Sequence, residues 1–188
     1  SVYQELEWRG FIKQKTSPDI EGLLAKERLK VYVGFDPTAA SLHIGSLVPI
    51  MGLAHLQKAG HTPVVLMGGA TGMIGDPSGK SEERKLQTLE TIRENMDGVR
   101  GQLRKFFSFE GENAAVVVNN HDWTSRFSYL EFLREVGKHI TVKDMLEKDS
   151  AKRRLEREQS ISYTEFSYMI LQAHDFLHLF DELGCRLQ

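Results

Sequence analysis

Lys30-Val31-Tyr32-Val33-Gly34-Phe35-Asp36-Pro37-Thr38-Ala39-Ala40-Ser41-Leu42-His43-Ile44-Gly45-Ser46 sets the architecture of the chain. Leu29 to Phe35 is a β-branched and aromatic run of the kind found in a buried strand, and the residues from about Leu42 open a long apolar helix lasting to Gly60. A strand therefore feeds a helix through a loop. Asp36-Pro37 turns the chain, Thr38 and Ser41 contribute hydroxyls, and Gly45 removes a side chain from the first helical turn, so that a ligand can approach the backbone. The start of such a helix carries unpaired N–H groups and a partial positive charge, which suit a polyphosphate. His43 stands at that entry as a donor to a phosphate oxygen. On pattern alone, a plain βαβ unit whose loop merely contains a histidine reads the same way.

At 188 residues, 40% hydrophobic and 27% charged, the chain has the size and composition of one globular domain with a real core. A formal net charge of -2 excludes a global basic field, so contact with a nucleic acid has to come from a local patch. The lone Cys185 excludes an internal disulfide and a cysteine-based metal centre, which fits a reducing compartment. No apolar run approaches the ~20 residues of a membrane helix, and Ser1 to Lys15 is too charged for a signal peptide. The expected location is cytoplasmic.

Upstream of the opening stretch, Tyr3 to Gln14 and the segment after Ser17-Pro18-Asp19 read as two short helices. Downstream, Leu47, Ile50, Met51 and Ala54 recur at helical spacing with further apolar residues beside them, which predicts a helix buried on most sides. Pro49 lies in its first two turns and Gly60 is its C-terminal cap. Pro63 to Met67 is a second, continuously apolar strand and completes a βαβ unit. A glycine-rich loop follows, Gly68-Gly69-Ala70-Thr71-Gly72-Met73-Ile74-Gly75-Asp76-Pro77-Ser78-Gly79-Lys80-Ser81. It lies at the carboxyl end of a strand, where open α/β sheets bind ligands, yet lacks both the dinucleotide and the Walker spacing. Leu86 to Phe107 reads as a crossover helix with Leu89, Ile92, Met96, Val99 and Leu103 at helical spacing, leading to a third strand, Ala114 to Val118. Asn119-Asn120 ends that strand, and adjacent asparagines commonly cap a turn.

From Ser125 the character changes. Phe127 to Val136 and Val142 to Leu146 read as short helices, and Lys148 to Gln159 is densely charged, with Lys152, Arg153, Arg154 and Arg157. A mixed-sign run of this kind is ordinarily a solvated helix face, the alternative being an RNA contact. The last helix, about Thr164 to Leu183, is mostly apolar, but Tyr168, Gln172 and Asp175 share one face at i, i+4 and i+7. Polar groups aligned on a buried helix need partners, in the core or in a ligand. His174 reads as incidental. Cys185 to Gln188 begins a fourth strand.

Gly34-Phe35-Asp36-Pro37-Thr38-Ala39 followed by Ser41-Leu42-His43-Ile44-Gly45 resembles the nucleotide-binding signature of class I aminoacyl-tRNA synthetases. With Tyr32 upstream it is similar to that of bacterial tyrosyl-tRNA synthetases in particular. Gly75-Asp76-Pro77-Ser78-Gly79 resembles a second segment of the same family, and Tyr168-x-x-x-Gln172-x-x-Asp175 resembles the helix with which its members hold their amino acid. The resemblance covers nearly all of this chain but only the first part of the family's protein, before its Lys-Met-Ser-Lys-Ser loop and anticodon-binding regions. One departure stands out: the family signature ends in histidine where this chain has Ser46.

The resemblance implies an α/β fold, a Rossmann-like (HUP-type) parallel sheet flanked by helices, present as its first half plus a helical connective insert. Residues 1–28 would be a helical preface and 29–124 the first half of the sheet. Residues 125–162 would be an insert forming a homodimer interface, whose aromatic surface comes from Phe127, Tyr129, Phe132, Tyr163 and Phe166. Residues 163–188 would carry the tyrosine-site helix and the start of the next strand. The implied reaction is ATP-dependent activation of L-tyrosine and its transfer to tRNA(Tyr), with low or no activity expected of this N-terminal part alone, ATP and Mg2+ entering as a substrate complex, no permanently bound cofactor and no metal site. His43 and Thr38 are implied as catalytic, at the phosphates as pyrophosphate leaves, and Gly34, Asp36, Gly45 and Ser46 as ATP-binding. Tyr32 and Asp175 would meet the phenol hydroxyl and Asp76, Tyr168 and Gln172 the amino group, with Asn120 and Gln188 completing the tyrosine site. Ser46 removes one imidazole that the family offers to ATP, so either His43 and Thr38 carry that role or activity is reduced. Two readings stand beside this one: another class I nucleotidyl transferase such as tryptophanyl-tRNA synthetase, and a non-catalytic fragment that binds tyrosine or dimerises without turnover.

Overall fold

Alternating side chains on four parallel strands divide the molecule into two apolar layers. The computed structural model describes residues 1–76 and 87–188. Its strands are β1 (Lys30–Phe35), β2 (Thr62–Met67), β3 (Val116–Asn119) and β4 (Cys185–Leu187), hydrogen-bonded in the order β3-β2-β1-β4. All three pairings are parallel, with Tyr32 beside Val64 and Leu66 beside Val118. Val31, Phe35, Val65 and Met67 face one side, where they pack with Tyr3 and Leu6 of α1 (Val2–Trp8), Leu24 of α2 (Ile20–Lys26), Ile50 and Leu53 of α3 (Leu47–Lys58), and Ile92 and Val99 of α5 (Leu89–Leu103). Tyr32, Val64 and Leu66 face the other side with Trp123, Leu179 and Cys185. The two-residue period of a strand is what sends consecutive residues of β1 into different cores. The fold is thus the parallel α/β arrangement expected, with a fourth strand beside β1.

Between β2 and β3 lie α4 (Thr71–Ile74) and α5, whose first residue is preceded by Thr88, its hydroxyl accepting from the Thr91 N–H at 3.2 Å. After β3 come α6 (His121–Thr124), α7 (Tyr129–Glu135), α8 (Val142–Leu146) and α9 (Asp149–Glu156). The 21-residue α10 (Tyr163–Leu183) then returns to the sheet. A capping box starts α10, Ser162 accepting from the Glu165 N–H, and Gly184 in the left-handed conformation releases the chain into β4.

Several expectations change. The helix after the opening loop begins with a 3-10 turn, Ile44–Ser46, and α3 proper starts at Leu47. It is not buried on most sides: Ile50, Leu53, Ala54 and Leu56 face the core, while Ile44, Leu47, Val48 and Met51 are exposed, because a helix lying on a sheet covers only one stripe of its surface. β3 begins two residues later than expected and takes in Asn119. The part of the glycine-rich loop from Pro77 to Ser81, and Leu86, lie outside the described residues. The charged run is not purely a solvated face, since Arg154 of α9 is buried and donates from Nη2 to the Ser160 carbonyl at 2.6 Å and to Glu165 Oε2 at 3.3 Å. His174 is not incidental: the rings of Phe127 and Phe132 meet it edge-on at 5.3 and 5.9 Å. Those two phenylalanines therefore pack within the chain, whereas Tyr129 and Tyr163 remain exposed, their hydroxyls 3.3 Å apart.

The Arg154–Glu165 pair fastens the insert to α10. Both side chains are almost fully buried, and removing one member of a buried pair strands the other charge at ~3–5 kcal/mol. Urea denaturation of Arg154→Ala is therefore expected to show a stability loss of about 3 kcal/mol, whereas Arg153→Ala, on the exposed side of α9, is expected to be near neutral.

Candidate active site

At the carboxyl ends of the strands, the sheet order reverses between β1 and β4, since the chain runs outward to β3 on one side and returns to β4 on the other. Such a switch point leaves a crevice. Here it is a cavity of about 410 Å³. Its walls bring together Tyr32, Gly34, Asp36, Thr38, His43, Gly45 and Ser46 from β1 and the loop after it, Asp76 beyond α4, Tyr168, Gln172 and Asp175 from α10, and Gln188 past β4. Of the residues singled out from sequence, only Asn120 does not line this space. It lies directly beneath, 1% exposed.

The floor is built around Asp175, which is 2% exposed. Its Oδ1 accepts from the indole N–H of Trp123 at 2.8 Å and its Oδ2 from Asn120 Nδ2 at 2.9 Å. Burial pushes the carboxyl up to about 6; the two hydrogen bonds pull it down and the charge of Asp36 pushes it further up. Tyr32 stands on the neighbouring strand with its hydroxyl buried and, among the described residues, without a hydrogen-bond partner. Burial and then the Asp175 charge raise that phenol well above its ordinary value, so it is a neutral O–H.

A continuous polar chain leads from this floor to the wall. Asn120 Nδ2 also donates to Thr71 Oγ1 at 3.0 Å, Thr71 donates to Asp36 Oδ1 at 2.6 Å, and the Tyr168 hydroxyl donates to Asp36 Oδ2 at 2.9 Å. Burial, then the charges of Asp36 and Asp76, raise the Tyr168 phenol strongly. Asp36 is thus a junction between β1 and α10 as well as a wall of the cavity. Among the described residues, no three His, Cys, Asp or Glu side chains converge as a metal site.

At the mouth, His43 caps the 3-10 turn, its Nδ1 accepting from the Gly45 N–H at 3.1 Å. That bond leaves Nε2 to carry the proton of a neutral imidazole, hence a donor. A side chain at position 45 would put its Cβ 2.9 Å from His43 Cε1, so any residue but glycine displaces the imidazole from this position. Helix α5 fixes the loop from outside: Asn95 Nδ2 donates to the Pro37 carbonyl at 2.9 Å, and Gln102 Oε1 accepts from the Leu42 N–H at 2.8 Å.

Sequence reasoning missed Thr71, Trp123, Asn95 and Gln102. Asn95 carried a signal, being a polar residue between Ile92 and Met96 on the buried side of a helix. Trp123 did not, because an indole near the end of a strand reads as core. The asparagines do both things weighed for them: Asn119 Oδ1 caps the turn by accepting from the His121 N–H at 3.1 Å, and Asn120 joins the floor.

The family model for class I tRNA synthetases (W and Y) matches residues 24–185. The chain is 53% identical over 189 residues to a tyrosine–tRNA ligase of Desulfatibacillum aliphaticivorans, a match covering 100% of this chain and 44% of that protein. It is 56% identical to a tyrosine–tRNA ligase of Bacteroides thetaiotaomicron over 98% of this chain and 44% of that one. It therefore spans less than half the length of these curated relatives. Among solved structures, a C-terminally truncated mitochondrial tyrosyl-tRNA synthetase from Aspergillus nidulans matches with a TM-score of 0.85 at 32% identity, covering 98% of this chain and 55% of that chain. A profile spanning most of the chain and a solved structure that matches nearly all of it lead to one assignment: the chain belongs to the class I tRNA synthetases (W and Y).

Proposed function

We propose that this chain carries the amino-acid and ATP sites of a tyrosine–tRNA ligase, which activates L-tyrosine and transfers it to tRNA(Tyr). The observation that carries the choice of amino acid is the pair at the floor, the neutral Tyr32 hydroxyl and the Asp175 carboxylate. A phenol O–H donates to the carboxylate while its oxygen accepts from Tyr32, so both groups are satisfied; an indole N–H only donates and leaves Tyr32 without an acceptor. That favours tyrosine over tryptophan within the family, as do the names of the relatives. Asp76, Tyr168 and Gln172, higher on the same wall, suit the α-amino group.

Activation joins a tyrosine carboxylate oxygen to the α-phosphorus of ATP as the bond to pyrophosphate breaks. Such chemistry depends on positioning and charge stabilisation rather than on a protein nucleophile. His43 Nε2 and the Thr38 hydroxyl face the cavity mouth to take the departing phosphates, with the turn Ile44–Ser46 behind them, and Gly34 and Asp36 line the nucleotide. ATP arrives with Mg2+, which neutralises phosphate charge. In the second step a ribose hydroxyl of tRNA attacks the tyrosyl carbonyl carbon and AMP leaves, its phosphate taking the hydroxyl proton. Ser46 offers a hydroxyl where the family signature has an imidazole, and one preorganised donor is worth ~3 kcal/mol of barrier, so a reduced rate is part of this reading. Tyrosine-dependent exchange of pyrophosphate into ATP tests the whole proposal; tyrosine binding without exchange would favour a binding fragment instead.

Assembly and location belong to the same reading. Leu130, Leu133, Leu177 and Phe180 are exposed on α7 and α10 together with Tyr129 and Tyr163, apolar side chains of the kind that a homodimer interface buries. A cytoplasmic location suits a ligase of protein synthesis, and among the described residues no helix is long and apolar enough to cross a membrane.

Four outcomes are expected. L-Phenylalanine should bind at least ~100-fold more weakly than L-tyrosine, because it leaves the buried Tyr32 hydroxyl unpaired and forgoes the hydrogen bond to the charged Asp175 carboxylate, at ~1–3 kcal/mol each. Since the ionised Asp175 carboxylate accepts from a phenol far more strongly than the protonated acid, tyrosine affinity should be flat above neutrality and fall as the pH drops through about 6, and Asp175→Asn should bind weakly at every pH by calorimetry. Gly45→Ala, by displacing the His43 imidazole, should lower pyrophosphate exchange about 100-fold with tyrosine affinity unchanged. Sedimentation at micromolar concentration should show a dimer that Leu177→Asp converts to monomer.

A further inference from the structure

Asp175 is held by an indole that is itself held by a histidine. Trp123, on the short α6, is nearly buried, and the ring of His178 stacks on it with centroids 4.2 Å apart and planes 23° from parallel. The opposite requirement on that indole is its edge: the Nε1–H has to meet Asp175 Oδ1, at 2.8 Å. Asp175 and His178 are i and i+3 on α10, so the indole is gripped by two side chains on adjacent turns of one helix. A planar ring whose face is fixed by stacking has little freedom to swing its N–H away, and stacked ring pairs are worth ~0.5–1.5 kcal/mol beyond their burial.

We propose that His178 is a positioning residue for the tyrosine site: stacked on Trp123, it fixes the indole N–H that orients Asp175, and its protonation changes that hold. This rests on the reading of Asp175 as the phenol's partner. His178 is surrounded by groups from three directions. On α10 itself stand Glu182 and Asp181, whose charges favour the imidazolium, and His174, 6.4 Å away ring to ring. From the segment after α6 comes Arg126, which opposes it, and on α6 lies the Trp123 face. Burial is the largest influence and sets His178 below the ordinary 6.5. His174, pinned between Phe127 and Phe132 with Nδ1 buried and unpartnered among the described residues, is held neutral by burial and buttresses His178 from the insert side. An imidazolium on the indole face draws π-density from the ring, which strengthens its N–H as a donor and steadies the Asp175 carboxylate.

Indole fluorescence reads this directly. The chain has two tryptophans, and Trp8 is 82% exposed, so Trp8→Phe leaves Trp123 as the sole reporter. In that background a protonated imidazole in contact with the indole quenches it, so emission should fall as the pH drops from 8 to 5 with a midpoint below 6.5. His178→Phe keeps a stacked ring but cannot titrate: it should abolish that quench, leaving only the smaller change that belongs to Asp175, and should bind tyrosine within twofold of the parent at pH 8. His178→Ala should bind tyrosine about tenfold more weakly at pH 8, the loss of one stacked pair at ~1.4 kcal/mol. His174→Phe should keep the quench. Equal tyrosine affinity in parent and His178→Ala, or an unchanged quench in His178→Phe, overturns the proposal. Should His178→Ala fail to fold, the parent and His178→Phe titrations decide it alone. A parent that shows the quench but binds no tyrosine overturns the reading of the pocket while leaving the grip of His178 on Trp123 established.

Discussion

A carboxylate almost wholly removed from water is the constraint on which the rest of the structure turns. Asp175 cannot be buried as an ion without donors for both oxygens, and the two it has come from a strand end and the helix that follows it, Asn120 and Trp123. Those donors are in place only if β3 pairs with β2 in register, because the Asn120 N–H donates to the Met67 carbonyl at the end of β2 while its Oδ1 accepts from the Ala70 N–H at 2.7 Å. The polar floor is thus a product of sheet register. A shift of one residue would turn the strand's inward set outward and leave the carboxylate without donors.

The same register separates two tasks. One face of the sheet is apolar throughout and carries the larger cluster with α1, α2, α3 and α5; the other is apolar near the strand starts and polar where the strands end. Stability is therefore drawn mainly from the face that carries the larger apolar cluster. On the second face the fold keeps an ionised group whose pKa is pushed up to about 6. Its folded value lies above the ordinary 3.8, so the fold binds that proton more tightly than the unfolded chain does. This group alone makes the chain more stable near pH 5 than at pH 8. A residue held charged against the interest of stability is expected where recognition requires it.

Much of this was legible in the sequence because periodicity reports it. The continuous apolar runs of β1 and β2, the loop between them and the i, i+4, i+7 face of α10 each follow from spacing, and the structure brings those residues to one crevice. What escaped was whatever depends on partners distant in sequence. Trp123 and Thr71 enter the site through hydrogen bonds spanning 52 and 35 residues, and nothing local marks them. Composition misled in the opposite direction on α3, where Leu47 and Met51 share the apolar character of Ile50 and Ala54 yet face outward. Spacing locates a stripe; it does not say which of two apolar stripes meets the sheet. The charged run failed for a related reason, since only tertiary packing distinguishes Arg154 from Arg153 beside it.

On the proposed reading, Asp36 ties amino-acid recognition to nucleotide recognition in this architecture. It follows β1 directly, where the loop toward His43 begins, and each of its carboxylate oxygens is committed, one to Thr71 and one to Tyr168. Thr71 connects it through Asn120 to Asp175 at the phenol end, while Tyr168 connects it to the wall assigned to the amino group. No side chain fits at position 68 beside this junction, because a Cβ there would collide with Asp36 Oδ1 and Thr71 Oγ1. The loop that positions His43 thus leaves β1 from a residue whose orientation is set by Thr71 and Tyr168, and α5 holds it from the far side through Asn95 and Gln102. On the proposed reading, a loop already fixed at both margins costs little further ordering when ATP arrives, so the binding energy of the nucleotide goes into the transition state rather than into building the site.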